Sequence, residues 1–157
     1  MRVLVGGLGY RFLRDESVGP YMADRLAAER REGVEVEDVS YHAVGLSQNL
    51  QEREPYDRVV LVAAVRRGRE PGTVESYRWD GVLPERDEIQ AYVGEAAVGL
   101  LSLDGHLIVC GALGGLPDDV RVVEVEPGDE GWGEGFSPAV EARLGEIEEA
   151  VWTSTRP

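Results

Sequence analysis

The sequence predicts an α/β fold, a three-layer α/β/α sandwich with a mostly parallel central sheet of about five strands. Three observations predict it. Valine-rich apolar runs alternate along the chain with segments of helical periodicity, the pattern of parallel strands joined by crossover helices. The run from 58 to 65, RVVLVAAV, is almost unbroken, as expected of a central strand covered by helices on both faces. The length of 157 residues suits one domain, 1–157, large enough to bury a core and without an internal repeat or low-complexity linker.

Residues 2 to 20, RVLVGGLGYRFLRDESVGP, run from an apolar strand through a glycine turn at Gly7 and Gly9 to an acidic pair, Asp15 and Glu16, at a helix start. Val18 to Glu32 carries Val18, Tyr21, Met22, Leu26 and Ala27 as a helical stripe, with Pro20 tolerated in the first turn and Gly33 as the stop. The alternation Val34 to Val39 predicts a strand exposed on one side, and Leu46 and Leu50 mark a short helix. Pro71 and Gly72 turn the chain into a strand over Thr73 to Trp79, expected at an edge because polar residues interrupt it. Glu88 to Ala97 reads as helix. For His106 to Ala112 helix and strand compete, with helix preferred. Val120 to Val125 is the last strand, followed by an acidic glycine-rich loop, Glu126 to Glu134, read as solvated around one buried aromatic, Trp132. Ser137 as N-cap and Pro138 in the first turn then open a helix with the stripe Val140, Leu144, Ile147 and Val151.

Thirty acidic against sixteen basic residues give a net charge of −14, which repels phosphate backbones and anionic lipid. Nucleic acid and membrane are therefore not expected partners. No apolar run approaches the ~20 residues that span a bilayer, and Met1 is followed at once by Arg2 and strand residues rather than by the zones of a signal peptide. A cytoplasmic location is the expectation. Cys110, the single cysteine, permits no internal disulfide and no cysteine metal cluster, and lies in an apolar run that suits burial.

In an open parallel sheet, ligands bind at the carboxyl ends of the strands, and the turn after the first strand lies there. Dinucleotide binding needs G-x-G-x-x-G, but from Gly7 and Gly9 the third position is Phe12, and Asp15 and Glu16 sit where a phosphate would seek amide donors. Nucleotide binding is thus an outside alternative. Acids at a helix start also oppose its dipole. That ordinary role competes with a site role, and for Asp15 it stays open between a cap and a carboxylate supporting the site. Asp15 and Glu16 as a catalytic carboxylate pair are disfavoured, since adjacent side chains diverge around a helix. No G-x-S-x-G elbow is present.

Gly7, Gly9, Leu13, Asp15, Glu16 and Gly19 resemble the opening of the hydrogenase maturation protease family, which trims the C-terminal tail of the nickel-iron hydrogenase large subunit. Asp38 ending the second strand, the strand Val59 to Val62 followed by Pro71 and Gly72, Leu116 and Pro117 before VRVVEVEP, and Phe136, Ser137 and Pro138 before the last helix follow in the family's order. The resemblance covers nearly the whole chain. It implies a metal site of a glutamate in the opening motif, an aspartate ending the central strand and a histidine at the start of a later helix. Glu16 matches the first, the second falls on Ala63, and the third falls near Gly99, or with a gap near Ile89 or Gln90. Two of the three positions thus lack a ligand, and Tyr10 replaces an asparagine frequent in the family. His42 is a candidate neighbour of the site. His106 and His42 otherwise suit ordinary core or loop positions. The resemblance implies a hydrogenase large subunit or related client as partner and nickel supplied by that client, with Glu16 as the main contact. The expected activity is that of a metal-gated endopeptidase, the alternative a noncatalytic relative that binds or checks the client. No catalytic residue is identified.

Overall fold

In the computed structural model, which describes residues 1–157, β1 (Val3–Leu8) is followed by α1 (Val18–Ala27), β2 (Val34–Asp38), α2 (Ala43–Glu52) and β3 (Arg58–Ala64). Next come β4 (Val74–Arg78), α3 (Arg86–Ala97), α4 (Leu103–Leu113), β5 (Asp119–Val125), α5 (Pro138–Glu141) and α6 (Leu144–Thr155). The sheet order is β2-β1-β3-β5-β4. The first four pair in parallel, and β4 runs antiparallel along β5 at the edge. The expected three-layer sandwich is the observed fold, with β3 at the centre and buried along its whole length.

Strand alternation divides the core. Val3, Val5, Val60, Val62, Val123 and Val125 face α1 and α6, where Met22, Leu26, Ile147 and Val151 meet them. Leu4, Leu8, Val59, Leu61, Ala63, Val120 and Val122 face α2 and α4 through Leu46, Leu50, Leu103, Leu107 and Cys110. The ambiguous segment around His106 is helix α4, and α3 packs on α4 and α2. No helix is long and apolar enough to cross a membrane.

Several local expectations need correction. The first helix ends at Ala27, before the polar run Glu29 to Glu32, and Gly33 serves the turn into β2 at φ 76°. The last helix is broken into α5 and α6. Ser137 holds the N-cap position but makes no side-chain cap, because its hydroxyl donates to Asp15. Trp132 is not buried: it is 81% exposed, since its loop lies across residues 12 to 15 rather than over the core.

The glycines after β1 act by closeness of approach. Neither Gly7 nor Gly9 has a positive φ. A Cβ at Gly7 would lie 2.0 Å from the Gly19 carbonyl oxygen, and one at Gly9 1.9 Å from that of Glu16. The backbone of the strand end therefore touches that of the following helix, which holds Asp15 and Glu16 over the carboxyl edge.

Candidate functional site

Residues Arg14–Ser17 form a single 3-10 turn between β1 and α1. Arg14 adopts φ 41°, a left-handed conformation uncommon for a residue with a side chain. Its N–H donates to the Gly133 carbonyl at 3.2 Å, and its carbonyl accepts from the Ser17 hydroxyl at 2.6 Å. The two acids that follow have separate surroundings.

Asp15 is fully buried and turned toward the segment after β5. Its Oδ2 accepts from the N–H groups of Gly128 and Asp129 at 2.7 and 2.9 Å and from the Ser137 hydroxyl at 2.7 Å. Its Oδ1 accepts from the Ser137 N–H at 2.8 Å. Asp15 makes no helix cap. A buried carboxylate surrounded by donors is a structural tie, and this one joins residues more than a hundred positions apart.

Glu16 is half-buried and faces Glu130, which accepts from Arg66 Nη2 at 2.6 Å and Nε at 3.0 Å. Burial, then the hydrogen bond to Glu130 and its charge, push the Glu16 carboxyl up to about 8, while Glu130 is held below the usual carboxylate range. Two like charges in contact do not both ionise, so the proton stays on the half-buried Glu16 while Glu130, paired with Arg66, stays charged. Unfolded, Glu16 releases its proton near 4.5; folded, near 8. Between these values folding takes up a proton, so the native state loses stability as the pH rises from about 5 to about 8. Glu16→Gln abolishes that loss. The variant is expected to gain about 1 to 2 kcal/mol on the parent across this interval, after screening by solvent is counted. Parallel melting profiles for the two proteins would contradict the raised Glu16 carboxyl.

Arg67, the next residue in the chain, reaches the other side of the edge. Its Nη1 and Nη2 each donate to Asp104 at 2.9 Å, and Nη2 also to Glu124 Oε1 at 2.7 Å. Asp104 stands in the first turn of α4, whose start is capped by the Ser102 hydroxyl accepting from Gly105 N–H. Glu124, only 3% exposed, sits on β5 in register with Ala63 of β3. It also accepts from Arg69 at 2.7 Å and from the Tyr77 hydroxyl at 2.8 Å. Burial pushes the Glu124 carboxyl upward, but the donors from Arg67, Tyr77 and Arg69 outweigh it and hold it below its ordinary value. Glu126 fastens the loop itself: its carboxylate accepts from the N–H groups of Arg67, Gly68 and Arg69, at 2.7 to 3.0 Å.

The other residues singled out by the sequence lie as follows. Ala63 is buried at the carboxyl end of β3 and offers only a methyl group. Ile89 and Gln90 are on α3, and Gly99 is in the connection to α4 at φ 83°. The helix that begins beside the charged edge is α4, so its first-turn side chain is Asp104. His42 caps α2, its Nδ1 accepting from Gly45 N–H at 2.9 Å. His106 is buried on α4 with Nε2 3.2 Å from the Val39 carbonyl, and burial holds its pKa down. The Cys110 thiol, pushed up to about 12 by burial, is no nucleophile. The largest concavity, about 550 Å³ beside Trp79, Cys110 and Pro117, is at the opposite edge of the sheet.

Glu130, Arg66, Arg67, Glu124 and Asp104 are missed by the sequence reading. Two signals point to them: a basic pair directly after the central apolar strand, and an acid inside the apolar strand VRVVEV, which demands buried counter-ions.

No group of three or more His, Cys, Asp or Glu side chains is placed to hold a metal ion. Ala63 offers no donor, and Arg67 occupies the space between Asp104 and Glu124. These residues do not fit a resident transition metal, which needs several free nitrogen, oxygen or sulfur donors converging on one point.

Fold and site define a mostly parallel α/β protein with a cluster of paired charges at the carboxyl ends of its strands. Several solved structures similar to it over nearly the whole chain are hydrogenase maturation proteases. The hydrogenase maturating endopeptidase HybD of E. coli aligns at 25% identity and a TM-score of 0.74, covering 98% of this chain and 91% of that one. The hydrogenase 2 maturation peptidase of a Thaumarchaeota archaeon aligns at 23% identity and TM-score 0.68, over 98% and 97% of the two chains. HybD of Thermococcus kodakarensis, a nickel-iron hydrogenase maturation protease, aligns at 18% and 0.66, over 99% and 100%. No family model matches the chain, and no curated protein matches its sequence. The chain resembles the hydrogenase maturation protease family in fold as it does in its opening motif.

Proposed function

We propose that this protein acts in hydrogenase maturation by docking a hydrogenase large subunit, or a related client, at the carboxyl edge of its sheet. The observation that carries this reading is the position of Glu16, the acid of the family's opening motif, at that edge of a fold shared along nearly the full chain. An apolar rim beside it supports docking of a polypeptide. Phe12 is 54% exposed, its ring 6.4 Å from that of Trp132, and Gly133 N–H donates to the Phe12 carbonyl, so the two aromatics stand next to the Glu16 turn. Exposed aromatics of this kind are common anchors at interfaces.

Endopeptidase action on the C-terminal tail of the client is the activity that the likeness suggests. Nickel enters this reading as part of the client, not as a resident cofactor. The substitution of the ligand position at Ala63 favours the second reading, a noncatalytic relative that binds or checks the client. Coexpression with a candidate large subunit separates them. A peptidase shortens the client, read by intact mass, and Glu16→Gln leaves it full length; a binding protein is recovered with an uncut client. Phe12→Ala combined with Trp132→Ala is expected to weaken client capture at least about tenfold with little change in melting temperature. Unchanged capture by that variant, or no association with the client at all, would count against docking at this edge.

A further inference from the structure

We propose that Arg66 and Arg67 are the resident cations of this site, so that the protein holds no divalent transition metal of its own. The inference rests on the reading that the carboxyl edge is the working site, and deepens it. Consecutive residues leaving a strand project to opposite sides. Here Arg66 reaches Glu130, which faces Glu16, and Arg67 reaches Asp104 and Glu124. The two arginines thereby engage Glu130, Asp104 and Glu124, while Asp15 and Glu126 are held by backbone N–H groups.

The placement follows from the sheet register. Ala63 and Glu124 are paired neighbours on β3 and β5 and share the face covered by α4. A carboxylate therefore stands one strand away from the position where the family resemblance expects one. From there it meets a planar guanidinium that also holds Asp104 through two parallel bonds. A permanently charged fork of this shape satisfies two carboxylates at once, which leaves no lone pairs converging on an ion. Any metal binding there must first displace Arg67 from both partners.

Titration of the full chain with nickel chloride, followed by calorimetry and by melting temperature, tests this without the client. The expected result is no saturable heat and no shift in melting temperature. Arg67→His removes the fork and adds a neutral imidazole beside Asp104 and Glu124. It is expected to give a saturable nickel isotherm and a rise in melting temperature on nickel addition, neither of which the parent shows. Saturable nickel binding by the parent, or failure of a folded Arg67→His to gain any, would overturn the proposal. Were that variant not to fold, the titration of the parent protein decides alone. Client capture and client mass are read separately, so a metal-binding parent that still captures its client refutes this inference while sparing the proposed function.

Discussion

Gly7→Ala is expected to cost at least about 4 kcal/mol, enough to leave the protein largely unfolded or aggregated on expression. The added Cβ lies 2.0 Å from the Gly19 carbonyl oxygen, 2.6 Å from its carbon and 2.9 Å from the Ala23 Cβ. Side-chain overpacking ordinarily costs 1 to 3 kcal/mol because rotamers adjust. Here the obstacle is backbone on both sides. β1 is fixed between β2 and β3, so relief requires α1 to lift off the sheet and expose part of the cluster around Val18, Met22 and Leu26. Gly94→Ala is the control, since a Cβ there meets nothing within 4 Å and α3 is helical at that point. It should be neutral or stabilising by up to about 1 kcal/mol. Denaturant midpoints decide the matter. Equal, small effects at the two glycines would show that α1 does not approach β1 as described.

Asp15→Ala is expected to cost about 3 to 5 kcal/mol. It removes one carboxylate and leaves the N–H groups of Gly128, Asp129 and Ser137 and the Ser137 hydroxyl without their acceptor. Asp15→Asn costs less but does not rescue, because both carboxylate oxygens accept and an amide presents a donor on one side. Ser137→Ala deletes one of the four bonds and should cost about 1 kcal/mol. The graded series is read by chemical denaturation, with proteolysis of the 128–137 segment as a local readout. If Asp15→Ala melts within a degree or two of the parent, the tie between the two segments is not real.

Much of the architecture was legible in the one-dimensional pattern. The unbroken apolar run of β3 announced a strand covered on both sides, and the polar interruptions of β4 announced an edge. The stripes of α1 and α6 were equally plain. Helix α4 was ambiguous because it is apolar nearly all round, buried against the sheet and against α3, so periodicity gave no contrast. Trp132 was misread for a related reason: a large aromatic in a loop is usually buried, and exposure here depends on where the loop lies.

The site was legible only in part. Glu16 and its place at the strand edge were readable, as was the missing donor at Ala63. The start of the facing helix was not, because a count through the loops between α3 and α4 carries no register, whereas the backbone puts Asp104 there.

By itself, the sequence determined the layers, the central strand and the turn that brings an acid to the carboxyl edge, since these depend on local periodicity and on glycine. The tertiary structure alone decided what each charge does. Asp15 and Glu16 are neighbours in the chain, yet one is tied to residues 128 to 137 and the other is half-buried beside Glu130, which holds its carboxyl up. Arg66 and Arg67 likewise separate to serve different carboxylates. The reason is physical: the energy of a buried charge is set by partners that fold in from distant positions, and no spacing along the chain encodes them.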